Sequence, residues 1–440
     1  MTEPVVPPAA EVSGSRGRLA RTSTPILLVV VATLVLGACG SSSPSATRKK
    51  AKPATTTTAA ANPTPTTNPA TPGGPSTPAA QSAAHTATTK PSSSVGGCSA
   101  TGGSLSSACD TQSPALQVTG AGANSIQPFF GRAFYFYAQA NHGVAVNYSP
   151  AGSSVGVTDI QQNTVNFGDS EIPIKAPASG TGGTILQIPV DLGGVALSYN
   201  LPGVGSGLKL DGPTLAGIFL GTITKWNDPA IASLNPGLNL PSTTIVPVRR
   251  ADSSGPGYDL DQYLISTGGS AWTSAAGAAP STKWPISSVG VGQQLNTGVA
   301  SFIQQTQGAI GYVEYAYALQ ASFTNVAVKN QAGSFVAPSQ ASIGAAGAQA
   351  GNLSAANFNI INGPGSGTYP LANFSWTLLY QKQTNADLGI VLGKLFDWVT
   401  TTGQQQAAAL GYSPLPANVV ALAHSTLLQL QNGAGQALFS

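Results

Sequence analysis

From Ala115 to the C-terminus, short apolar strands alternate with segments of helical spacing, and three of the junctions share one character. A strand ends and small residues open a turn or a helix: GAGANS (residues 120–125), AGSSVG (151–156) and ADSSGPG (251–257). Alternation of this kind predicts an α/β sheet whose sites lie at the carboxyl ends of its strands. ALQVTGAGA, VAVNYSP, IPVDLGGVALSYN, TIVPVRRAD, GAIGYVE and FSWTLLYQK read as strands, and QPFFGRAFYFYAQA, VGVTDIQQNT, DGPTLAGIFLG and LGIVLGKLFDWVTTTG as helices. In KWNDPAIASLNPG, Asn227 or Asp228 can cap a helix whose first residue is Pro229.

Each of the three turns is a candidate anion site. The first N–H groups of a helix lack intrahelical acceptors and sit at the positive end of its dipole, and serine hydroxyls add donors without charge. A turn taken alone is better explained as a helix cap or a hairpin. The third turn adds Arg250, whose planar fork suits a tetrahedral oxyanion, and Asp252, placed to orient that fork. Arg249 has no assigned role. Pro256 removes one N–H from this turn, although proline is tolerated at the first position of a helix.

Other chemistry is less well supported. The second turn spells GxSxG with Ser154 at its centre and His424 downstream, so an exported serine hydrolase is one alternative. Pro150 interrupts the strand that should feed such an elbow, and His424 falls in a helical segment. Gly120 and Gly122 make half of a dinucleotide fingerprint without its third glycine. Three scattered histidines form no metal-ligand cluster, and no cofactor is expected. The five tryptophans read as packing residues rather than a ligand cage. A formal charge of +3, with charged residues at only 8%, excludes the basic surface that nucleic acid binding requires.

The N-terminus reads as an export signal: Arg16, Arg18 and Arg21 precede the apolar run Ile26 to Leu36, which is short of the ~20 residues that span a bilayer. The run ends in Leu36-Gly37-Ala38-Cys39, which resembles a bacterial lipobox, so residues 1–38 are expected to be removed and Cys39 lipidated. Residues 39–111 are rich in Ser, Thr, Pro and Ala and lack the apolar side chains that would offset ordering entropy, which predicts a disordered stalk. Cys98 and Cys109 then stand as a candidate disulfide in an oxidising compartment, or as two free thiols.

From about Gln117 onward the chain resembles a known family. GAGA, GSS followed by NTVNFGDSEIP, LGTITKWNDPAIASLNPGLNLP, VPVRRADSSG, GAIGYVEYAYA and FDWVTTTGQQQAAALGYSPLP resemble the phosphate-binding protein of Pst-type ABC transporters. The resemblance implies a type II periplasmic-binding-protein fold, two α/β lobes joined by two crossing strands near Leu197–Asn200 and Tyr369–Leu379. One lobe is then 112–198 with 370–440, the other 199–369. It also implies a monomeric, non-enzymatic, membrane-anchored binding protein outside the cytoplasm, handing inorganic phosphate to ABC permease subunits and their ATPase. The remaining alternative is a divergent paralogue that binds another oxyanion or senses phosphate.

Carried over by motif, the resemblance implies a phosphate site made of Asn124, Ser125, Ser153, Glu171, Arg250, Ser254 and Gly255, with Asp252 bracing the arginine. Three positions depart from the family pattern. Asn124 stands for its usual threonine, Glu171 for its proton-accepting aspartate, and Pro256 for a second threonine. Asp169 adds a charge beside Glu171 that the family pattern lacks.

Overall fold

The computed structural model describes Leu105 and residues 116–439 apart from 173, 176, 355 and 356. The signal segment and Cys39, Cys98 and Cys109 lie outside the described residues.

A ten-stranded sheet organises the described chain. Its main path runs Val144–Ser149, Leu116–Gly122, Phe167–Ser170, Ala372–Tyr380, Gly183–Tyr199, Ala309–Glu314, Val246–Arg250 and Val291–Gln293. The first three strands are parallel to one another, as are the last three. Between these groups lie two antiparallel strands, Ala372–Tyr380 and the 17-residue Gly183–Tyr199. The fold is therefore two α/β lobes joined by two crossing strands. Strand Gly183–Tyr199 changes partner within its length: up to Gly194 it pairs with Ala372–Tyr380, and from Val195 it pairs with Ala309–Glu314. The crossover thus falls ahead of Leu197–Asn200, where the family resemblance places it.

The cores follow the same division. Phe129, Phe130, Phe134, Phe167 and Phe396 form an aromatic cluster against the first parallel group, with ring centroids 4.6–6.5 Å apart, a range that favours tilted and edge contacts. Leu105 is buried in this cluster, lying over Gly393 beside Phe439. The folded body therefore takes in a residue that composition assigns to the stalk. The second core gathers Trp272 and Trp284 around Phe219 and Tyr312 and sets Trp226 against Tyr199, as their reading as packing residues requires.

Local sequence accounts for the helix starts that bear on the site. Asp228 caps Pro229–Leu234 by accepting from the Ala230 N–H at 2.9 Å, with Pro229 at the first helical position. Helix Ser153–Gln161 is pressed onto the ends of strands Leu116–Gly122 and Phe167–Ser170 through glycine. A Cβ on Gly156 would stand 2.6 Å from the Gly122 Cα and 2.4 Å from the Asp169 carbonyl oxygen. No side chain fits between these backbones, so the Gly-rich spelling of both turns is a packing requirement before it is anything else.

Candidate functional site

The three turns converge at the carboxyl ends of their strands, beside the crossing pair. Leu116–Gly122 delivers Asn124 and Ser125 ahead of helix Gln127–Ala140. Strand Val144–Ser149 leads into helix Ser153–Gln161, and Phe167–Ser170 ends one residue before Glu171. From the other lobe, Val246–Arg250 leads into helix Gly255–Thr267, capped by Ser254, whose Oγ accepts the Gly257 N–H at 3.1 Å. Pro256 occupies the first turn of that helix, so the turn forms with one donor fewer. The N–H groups of Asn124, Ser125, Ser153 and Gly255 find no acceptor among the described residues.

Arg250 is 2% exposed and held on two sides. Its Nε donates to Asp252 Oδ1 at 2.8 Å and its Nη2 to Asp252 Oδ2, while its Nη1 is buried and makes no hydrogen bond. The fork that Asp252 was expected to orient is thus in place. Asp252 also accepts the Leu295 N–H at 3.0 Å, which ties the brace to the start of helix Leu295–Gln305.

Glu171 reaches across from the first lobe. One oxygen, Oε1, accepts from Asn373 Nδ2 at 3.0 Å, and the other, Oε2, is buried without a hydrogen-bond partner. A Cβ on Gly255 would lie 2.0 Å from Oε2, so glycine is what lets this carboxylate approach the third turn. Burial raises the Glu171 carboxyl, while the nearby Ser125 hydroxyl, Asn373 and the Arg250 charge pull it down. The Ser125 Oγ completes no hydrogen bond, and Ser153 Oγ sits 3.5 Å from the Glu171 N–H, at the limit of an interaction. Free donors on Ser125 and Arg250 and a free acceptor on Glu171 are thus collected in one buried place. Leaving such groups unmet costs roughly 1–3 kcal/mol each.

The Asn124 side chain is engaged within the protein. Its Oδ1 accepts the Asn296 N–H at 2.9 Å, its Nδ2 donates to Gln127 Oε1 at 3.0 Å, and its carbonyl accepts from Tyr317 Oη at 2.8 Å. The amide spans to the other lobe and caps helix Leu295–Gln305, so its oxygen and one of its two amide N–H groups are engaged within the protein. Asp169 also faces elsewhere: it accepts from Ser375 Oγ at 2.6 Å and from Thr377 Oγ1 at 3.3 Å, tying its strand to the crossing strand.

Sequence reasoning missed Asp259, Asn373, Asp191 and Glu314. Asn373 is a buried amide on a crossing strand, and its Nδ2 donates to Asp259 Oδ2 at 2.6 Å as well as to Glu171. Asp259 lies one helical turn beyond Gly255, a spacing that would have placed it on the same face. Glu314 accepts the Gly194 N–H at 2.8 Å, where strand Gly183–Tyr199 changes partner. Asp169, Glu171, Asp191, Asp259 and Glu314 are all raised above the usual carboxyl range, with burial the largest cause in each.

These shifts carry a stability consequence. A carboxyl raised on folding binds protons more tightly in the folded state, so its stabilisation is complete in acid and is lost as pH rises through the folded value. Five such groups act in the same direction. The ligand-free protein should therefore melt at lower temperature at pH 8.5 than at pH 5.5, by several degrees in a thermal scan. A flat or rising profile would contradict the buried carboxyls described above.

The Ser154 hydroxyl shares a 2.5 Å hydrogen bond with Ser253, and His424 Nδ1 contacts Asp397 at 2.8 Å. These two residues make no bond to each other, so the nucleophile–base contact that a hydrolase needs is not formed. No helix among the described residues is long and apolar enough to cross a membrane, and no cluster of His, Cys, Asp and Glu there could hold a metal ion.

Two lobes, two crossing strands and a buried anion-shaped set of donors between them define a solute-binding protein of the type II periplasmic class. A family model described as a PBP superfamily domain matches residues 78–402. The phosphate-binding protein PstS of Xylella fastidiosa (strain Temecula1) is 39% identical over 312 residues, covering 70% of this chain and 84% of that protein. Phosphate-binding protein PstS 2 of Mycobacterium tuberculosis is 33% identical over 299 residues, covering 64% and 78%. A solved phosphate-binding protein from Stenotrophomonas maltophilia has the same fold, with a TM-score of 0.54 at 20% identity over 71% of this chain and 94% of that one. The chain belongs to the PstS family of phosphate-binding proteins.

Proposed function

We propose that this protein captures inorganic phosphate between its lobes, outside the cytoplasm, and delivers it to the permease and ATPase of an ABC importer. The observation that carries the reading is the buried pairing of unmet groups, Arg250 Nη1 as donor and Glu171 Oε2 as acceptor, beside the uncapped N–H groups of three turns. Arginine, Ser125, Ser153, Ser254 and the N–H groups of Asn124 and Gly255 donate to the phosphate oxygens. Glu171 accepts the proton that phosphate carries at neutral pH. Sulfate carries none, so it would set two acceptors against each other. Lobe closure over the anion is the state read by the permease, and lipid on Cys39, with the Ser/Thr/Pro/Ala-rich segment that follows it, keeps the protein at the membrane surface as a monomer.

Calorimetry on ligand-stripped protein tests this. Phosphate should bind at micromolar concentration or tighter, arsenate comparably, and sulfate at least a hundredfold more weakly. Equal heats from phosphate and sulfate, or none from phosphate, would end the assignment.

A further inference from the structure

The Asn373 amide nitrogen has an unusual position. It stands on the crossing strand Ala372–Tyr380 and donates to carboxylates from both lobes, Glu171 Oε1 at 3.0 Å and Asp259 Oδ2 at 2.6 Å. All three side chains are buried, at 6%, 5% and 4% exposure. Two carboxyl oxygens that share one donor cannot be far apart, and two buried negative charges at that spacing repel strongly. A cation between them would relieve this; the Arg250 charge does so in part for Glu171, but Arg250 is paired with Asp252 and makes no ion pair with either carboxylate. Among the described residues, the other titratable groups that act on the pair are the carboxyls of Asp169, Asp191 and Glu314, and the phenols of Tyr148, Tyr317 and Tyr412 around Glu171 and of Tyr258 beside Asp259 on its own helix. All of these are acidic, so beyond the Arg250 charge acting on Glu171 nothing relieves the repulsion.

We propose that Glu171 and Asp259 share one proton across the Asn373 amide, and that phosphate capture at this site is therefore coupled to proton uptake. The inference rests on the phosphate reading above and deepens it. At acid and neutral pH the pair holds its proton and its net charge is −1. On the alkaline side the free protein loses that proton, and an entering phosphate anion, adding negative charge beside the pair, draws one back from solvent. Burial and the Glu171 charge both raise the Asp259 carboxyl, which agrees with this direction. Asp259 acts here through Asn373 and Glu171, as a positioning residue that makes affinity depend on pH. Coupled sites of this kind titrate as a pair, so the pH dependence belongs to both carboxyls together.

The test is phosphate calorimetry on the whole protein between pH 6 and 9, repeated in two buffers of different ionisation enthalpy to count protons. Wild type should take up more protons per phosphate at pH 8.5 than Asp259→Asn, by up to one. Its affinity should also fall by up to about tenfold more per pH unit on the alkaline side, the limit set by linkage of one proton. Asp259→Asn should still bind phosphate, with a flatter profile and tighter binding than wild type at pH 8.5. Equal proton counts and parallel pH profiles in the two proteins would overturn the shared proton while leaving phosphate binding intact. Absence of phosphate heat in wild type would overturn both readings at once. A variant that only loosens packing would lower affinity equally at every pH, which also counts against the proposal.

Discussion

Arg250→Ala should weaken phosphate binding by about a hundredfold or more, and Arg250→Lys should lose nearly as much. The guanidinium is the buried cation of the site, and its three nitrogens are divided, two toward Asp252 and one left free. Truncating one partner of a buried, hydrogen-bonded charge pair costs roughly 2–5 kcal/mol, and each 1.4 kcal/mol is tenfold in affinity. A loss of about a hundredfold or more is therefore expected for alanine. Lysine keeps the charge but offers a point donor, and Asp252 with its fixed carboxylate would capture it. Asp252 remains anchored by the Leu295 N–H in either variant, so the fold should survive, as a thermal melt can confirm. Phosphate binding that persists within tenfold in Arg250→Ala would remove the arginine from the site.

The second large effect concerns selectivity. Glu171→Gln should weaken phosphate and strengthen sulfate, narrowing the ratio between them by roughly tenfold to a hundredfold, the worth of one charged hydrogen bond at 1.5–3 kcal/mol. The direction depends on which way the new amide turns, and the structure decides it. Asn373 Nδ2 is a donor at 3.0 Å from Glu171 Oε1, so a glutamine places its carbonyl oxygen there and its amide nitrogen where Oε2 stood. A donor then faces the ligand in place of an acceptor. Competition calorimetry with phosphate and sulfate reads the ratio directly, and an unchanged ratio would mean that Glu171 does not set selectivity.

Departures from the family pattern sort into different physical roles once the residues are placed. Pro256 costs one donor and is otherwise at home in the first helical turn. The Asn124 side chain caps a helix of the opposite lobe, because its amide oxygen reaches the Asn296 N–H. Asp169 is a strand tie. Glu171 keeps an acceptor in the site, and its extra methylene lies against Gly255, where only glycine leaves room.

Much of this was legible in the chain itself. Alternating strands and helices, small residues at three strand ends, and an arginine two positions before an aspartate are all local patterns, and local sequence determines turns, caps and the direction of a side chain along its strand. The Arg250–Asp252 brace was therefore readable, as were the Asp228 cap and the helix that Pro256 enters. What the chain could not reveal is which side chains from distant segments meet. Asn373 lies 202 residues from Glu171 and 114 from Asp259, and nothing in the spelling of the crossing strand singles out its amide. Whether Asn124 faces a ligand or a helix start depends on where helix Leu295–Gln305 comes to rest, 172 residues away. Sequence determined the donors that each turn supplies. The tertiary structure alone decided their company, because burial and closeness to other charges, which set whether a carboxyl holds its proton, arise only when the two lobes pack.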